Sequence, residues 1–125
     1  MNWKRVQVAF DRAYWPLVDL TERVRTARST ERSPVSFIDF HHESLRKLSR
    51  RLDELETLCP VRFTLEAQAQ FRRVDAAFAM ADQLIDQGEA RMQILDALMR
   101  LRDILDTNGV GLAPIPWYQA WKRLL

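Results

Sequence analysis

A chain of 125 residues and 14.7 kDa has the length of one domain, enough to bury roughly two thirds of its unfolded surface without disulfides or metals. Its 47% apolar and 29% charged residues exclude a disordered tail, no apolar run approaches the roughly 18 residues of a membrane span, and three glycines with five prolines are too few for a turn-rich sandwich or barrel. The net charge of +2 is small but unevenly laid out, with eleven Lys/Arg against six Asp/Glu over residues 1–51 and eight against eleven over 52–125.

The chain reads as helices throughout. Met1–Phe10 has no 7–15-residue apolar stretch, so a secretory leader is not expected. From Asn2, a good N-cap, Trp3, Val6, Phe10, Ala13, Leu17, Leu20, Val24 and Ala27 recur at steps of three and four. That spacing is one apolar stripe on a long first helix. Pro16 lies inside it without disturbing the register, which predicts a kink rather than two helices; a break at Trp15 is the alternative, but Trp is a poor cap. The polar run from Arg28 to Pro34 reads as a loop, with Ser33 capping a helix that begins at Pro34.

This second helix is expected to run to about Leu58, with Ile38, His41, Leu45, Leu48, Leu52, Leu55 and Cys59 on its stripe, Phe37 and Phe40 widening its start, and Pro60 ending it. Thr64 is placed as the cap of a third helix carrying Phe71, Val74, Phe78, Ala81 and Ile85. Met92, Ile94, Leu95, Leu98, Leu101 and Leu105 follow, up to a stop at Asn108–Gly109. One helix from Thr64 to Asp106 would be about 65 Å long, more than a compact body of this size allows, so a hairpin turning at Asp86–Gln87–Gly88 is favoured. Residues 110–125 hold Pro114 and Pro116 in an extended segment, then a short helix with Trp117, Trp121 and Leu124 on one face. The expected architecture is all-α: a single domain over residues 1–125, a bundle of four long helices, the first kinked at Pro16, with a short C-terminal helix docked across it as a strap.

Patterns that carry chemistry are sparse. His41 and His42 are adjacent and point about 100° apart on a helix, so they do not readily share one ion. His41 lies on the apolar stripe and reads as a buried core histidine. Asp39 stands three residues before His42, as in an oriented imidazole or an ordinary surface ion pair. Cys59, the only cysteine, cannot form an internal disulfide; it fits a reducing cytosol and reads as a structural thiol. No phosphate-binding or dinucleotide-binding glycine pattern is present. No catalytic, metal or cofactor site and no small-molecule substrate is expected, nor any membrane segment.

Two leads remain. Sixteen of the nineteen basic residues are arginine, whose planar fork suits phosphate and carboxylate; an arginine-rich genome produces the same ratio. Arg25, Arg28 and Arg32 form one stripe, and Arg46, Lys47, Arg50 and Arg51 project from the second helix away from its leucines. If these two helices are antiparallel neighbours, their arginines form a face able to track a phosphate backbone. The competing reading pairs Glu43 with Lys47 and Arg50 with Glu54 at i,i+4, a solvated face with no ligand. The second lead is aromatic. Trp15 lies off the main stripe beside Tyr14, and it joins Trp117 and Trp121 as candidates for a partner surface, although the last two serve equally as the strap. The expectation is a non-catalytic cytoplasmic subunit of a larger assembly that contacts RNA or single-stranded DNA through its arginines. The alternative is a protein-interaction module working through its aromatics. In size and fold class the chain resembles small helical subunits of ribonucleoprotein effector complexes, and equally helical inhibitors and adaptors; no motif carries these likenesses.

Overall fold

In a computed structural model of the chain, the described residues are 3–26, 41–81, 83–84 and 86–109, without the side chains of 3, 87 and 109. The expected loop at 28–34, Arg28, Arg32, the helix start at Pro34, Ile85 and the whole segment 110–125 with Trp117 and Trp121 lie outside them. The described residues are all-helical, in four helices: α1 (Trp3–Thr26), α2 (His42–Leu58), α3 (Arg62–Ala81) and α4 (Gln87–Gly109).

The helices pack as a closed ring. The α3–α4 interface is the largest and α1–α2 the next, while α4 also packs on α1 and α2 on α3. Neighbours run antiparallel. Gln68, near the start of α3, donates to Asp53 and Glu56 late in α2, and the His41 ring at the head of α2 lies 5.5 Å from Phe78 near the end of α3. The core is the sum of four stripes. Val6, Phe10, Ala13, Leu17, Leu20 and Val24 of α1 meet Leu45, Leu48, Leu52 and Leu55 of α2, Val74 and Phe78 of α3, and Ile94, Leu98, Leu101 and Leu105 of α4, all buried. The three-four spacing predicted these positions because it keeps one side of each helix turned inward.

Local chemistry sets the helix ends, and here the structure amends the sequence reading. α1 is assigned as one helix through Pro16. α2 begins at His42, later than the expected start at Pro34. α3 begins at Arg62, two residues before the expected cap at Thr64. Thr64 caps from inside the first turn instead. Its hydroxyl oxygen accepts the Val61 amide at 3.1 Å and lies 2.9 Å from the Cys59 carbonyl, to which the hydroxyl donates. This is the backward reach of a capping-box side chain from the third helical position. α3 ends at Ala81 and α4 begins at Gln87, so Gly88 lies inside α4 rather than in the turn before it. Asp86 is the N-cap of α4: its Oδ1 accepts the amides of Gly88 at 2.8 Å and Glu89 at 3.3 Å. Gly88 suits the second position because a Cβ there would stand 3.1 Å from that same oxygen.

Two core assignments also change. Met92, counted with the apolar stripe of α4, is 66% exposed, while Ala90 and Ala97 are buried. On α3 the buried face starts earlier than Phe71, at Phe63, Thr64, Ala67 and Gln70. Burial of Gln70 is compensated. Its amide donates to the Ala97 carbonyl at 3.1 Å across the α3–α4 interface, and its oxygen accepts from Arg73.

Candidate nucleic-acid interface

The antiparallel pairing of α1 and α2 creates a seam in which both sequence leads meet. Three clefts follow one another along it. The first, about 290 Å³, is lined by Lys4, Arg5, Val8, Arg12, Glu54 and Leu58. The second, also about 290 Å³, is lined by Asp11, Arg12, Trp15, Pro16, Lys47 and Arg51. The third, about 190 Å³, lies between Trp15, Pro16 and Asp19 of α1 and Ser44 and Lys47 of α2. Arg12 is shared by the first two, and Trp15, Pro16 and Lys47 by the last two, so the clefts form one continuous groove.

Its charges are not evenly compensated. Glu54 takes two arginines, Arg12 from across the groove at 3.0 Å and Arg51 from its own helix at 3.2 Å. Asp19 is held by Arg23 at 2.9 Å. Burial pushes the Asp11 carboxyl above its ordinary value. Arg46, Lys47 and Arg50 are exposed, and among the described residues none has a carboxylate oxygen within 4 Å. The i,i+4 pairs expected from the sequence, Glu43 with Lys47 and Arg50 with Glu54, are therefore not formed. Glu54 turns toward the groove instead, where two guanidinium groups reach it.

Arginines elsewhere mostly have a carboxylate on their own helix. Arg62 pairs with Glu66, Arg100 with Asp96 and Arg102 with Asp106 at i,i+4 spacing. Arg25, one of the predicted contacts, is bound to Glu22 at 2.6 Å and is not among the residues lining the groove. The structure thus brings Lys47 and Arg51 together with Trp15, keeps Arg46 and Arg50 on the same helix beside them, and leaves Arg25 apart.

Trp15 is 37% exposed, on the opposite side of α1 from the core stripe. Its ring meets Tyr14 edge-to-face at 5.7 Å and 87°. Tyr14 is itself fixed. It is buried, its ring lies 6.1 Å from Phe10, and the Arg102 guanidinium of α4 sits 6.0 Å over its face. Burial, and then a hydrogen bond to Asp106, push its hydroxyl above the ordinary tyrosine value. The indole is therefore held at the groove wall through a buried tyrosine rather than swinging freely.

The remaining chemistry-bearing residues lie elsewhere. His41 is buried at the opposite end of the bundle from Cys59; burial, then the nearby Arg23 charge, lower its pKa from the ordinary 6.5. His42 is exposed, and Asp39 lies outside the described residues. Cys59 is buried at the C-terminal cap of α2, and burial pushes its thiol up. Among the described residues, no three His, Cys, Asp or Glu converge as metal ligands, and no helix is long and apolar enough to cross a membrane.

The sequence reading did not place Arg12, Lys4 or Arg5 beside the Lys47–Arg51 cluster, nor Trp15 against Lys47. The signal was available. The expected loop at 28–34 would set residues 15 and 47 opposite each other in an antiparallel pair. Comparison with family models, with curated proteins and with solved structures finds no match for this chain.

Proposed function

We propose that this protein is a non-catalytic helical subunit of a larger nucleoprotein assembly, and that it contacts a nucleic-acid backbone through the basic side of α1 and α2. The observation that carries this reading is the set Arg46, Lys47 and Arg50 of α2, exposed without a carboxylate within 4 Å among the described residues, of which Lys47 lines a groove with Arg12 and Arg51. Unpaired cations repel one another, a cost to the folded protein that phosphate contacts would relieve. Neutralising phosphates also releases counterions, which makes such binding strongly salt-dependent.

The same reading includes finer features of the protein. The chain is a single domain that works in the cytoplasm, with protein subunits and RNA or single-stranded DNA as partners. Pro16, which has no amide to donate, bends α1 at the groove wall. Trp117 and Trp121 hold a short C-terminal helix on the bundle as a strap, with Arg28 and Arg32 extending the basic side. The test is a salt series of affinity for a short oligonucleotide. The wild type should bind at low salt, with a slope that falls by about 2 on replacing Arg46, Lys47 and Arg50 with Gln, roughly 0.7 per lost contact on a single strand. Absence of binding at low salt, or an unchanged slope, would reject the proposal.

A further inference from the structure

We infer that the α1–α2 groove is a single-strand site in which Trp15 stacks an unpaired base while Lys47 and Arg51 hold the flanking phosphates. This rests on the proposed nucleic-acid function and adds a base-contacting residue and a strand preference to it. Three observations carry it. Trp15 is the wall shared by two adjoining clefts, and both also include Lys47. More than a third of its surface is open to solvent. Its plane is set by the edge-to-face contact with Tyr14, which is buried and held from α4 by Arg102. A platform fixed before binding loses little freedom when a base lands on it.

The charge arrangement names the occupant. Lys47, Arg12 and Arg51, the last two bridged by Glu54, line one cleft together with the Trp15 ring, so aromatic and basic contacts adjoin as they do in sites that track unpaired nucleotides. A paired duplex keeps its bases stacked inside and offers this ring only backbone. An apolar helix from a protein partner is disfavoured, because Lys47, Arg51, Arg12 and Asp19 would have to lose water against its apolar side chains.

The experiment separates base stacking from phosphate contact. Affinities are measured at low salt for an eight-nucleotide oligothymidylate, for the corresponding oligouridylate, for an abasic deoxyribose-phosphate strand of equal length and charge, and for a duplex. The inference predicts that one or both base-bearing strands bind at least fivefold more tightly than the abasic strand, the lower end of what one stacked base contributes. Trp15→Leu should reduce that ratio to about one while leaving abasic binding unchanged, and Trp15→Phe should restore most of it. Melting curves show whether each variant is folded; if Trp15→Leu unfolds, the abasic comparison on the wild type and on Trp15→Phe decides. Equal affinity for base-bearing and abasic strands overturns the stacking site but leaves the phosphate-binding proposal standing. Loss of all binding at low salt overturns both. Tighter binding of duplex than of single strands, or of an apolar peptide than of any oligonucleotide, also overturns the inference.

Discussion

Among the described residues, the two halves of the bundle both mix paired and unpaired arginines, and they differ in the surface that lies beside them. In α3 and α4 the interface is the most extensive among the described residues, Gln70 crosses it to a backbone carbonyl, and Arg62, Arg100 and Arg102 each have a carboxylate one turn away, while Arg72, Arg73 and Arg91 have none within 4 Å among the described residues. In α1 and α2 the interface is smaller, a groove runs along its outer side, and Arg46, Lys47 and Arg50 stand exposed without a carboxylate nearby among the described residues. Locally paired surface charges contribute only a few tenths of a kcal/mol and need nothing further. Concentrated unpaired charge lowers stability slightly and becomes favourable when an anion arrives. The difference teaches that an arginine count says little about function; what matters is where the cations without a carboxylate stand and whether a groove adjoins them.

The comparison is open to attack from several directions. The largest expected effect is on the packed side. Phe78 is fully buried on α3 and lies against His41, so Phe78→Ala should cost about 3–5 kcal/mol in denaturant unfolding. Trp15→Ala, at the open groove, should cost under about 1 kcal/mol, as surface changes do. Similar losses at both sites would mean that Trp15 serves the stability of the bundle rather than an open groove.

A second effect is on pH. Burial lowers the pKa of His41 below 6.5, so the unfolded chain binds its proton more tightly than the folded one. Stability from this group is then complete above about pH 6.5 and is lost as pH falls from there through the folded-state value. Unfolding free energies measured from pH 8 to pH 5 should show that decline, and His41→Leu should flatten it. A decline that persists unchanged in His41→Leu would place the titrating group elsewhere.

The smallest effect sharpens the account of the groove. Glu54 bridges Arg12 and Arg51 with all three side chains partly exposed, so Glu54→Gln should alter stability by no more than about 1 kcal/mol. By releasing two guanidinium groups it should raise oligonucleotide affinity severalfold at low salt. Weaker binding would show that Glu54 positions those arginines rather than occupying them.

The core was legible from spacing alone, because an apolar residue every three or four positions has one physical meaning on a helix. Each of Leu45, Leu48, Leu52, Leu55 and Cys59 is buried as that rule requires. The rule failed where side chains do two things. Met92 satisfies the spacing yet is mostly exposed, and Gln70 is polar yet buried because a backbone carbonyl receives it. Thr64 capped its helix from within, which the usual order of cap and helix does not reveal. The candidate site was legible as two lists, one of arginines and one of tryptophans. That Trp15 and Lys47 share a wall followed only from the register of α1 against α2, and the competing local pair at Arg50 was decided by Glu54 reaching across that register instead.

The central claim is that the cations of α2 without a carboxylate nearby among the described residues, and not basic charge in general, bind nucleic acid. It is tested most directly by two triple variants of equal charge change, Arg46, Lys47 and Arg50 to Gln on α2, and Arg62, Arg100 and Arg102 to Gln on α3 and α4. Affinity for one short single-stranded oligonucleotide is measured for each across the same salt series. The account predicts that the first variant loses about tenfold or more at low salt with a slope shallower by about 2, while the second stays within about twofold of the wild type. Equal losses in the two variants, or a larger loss in the second, would contradict it.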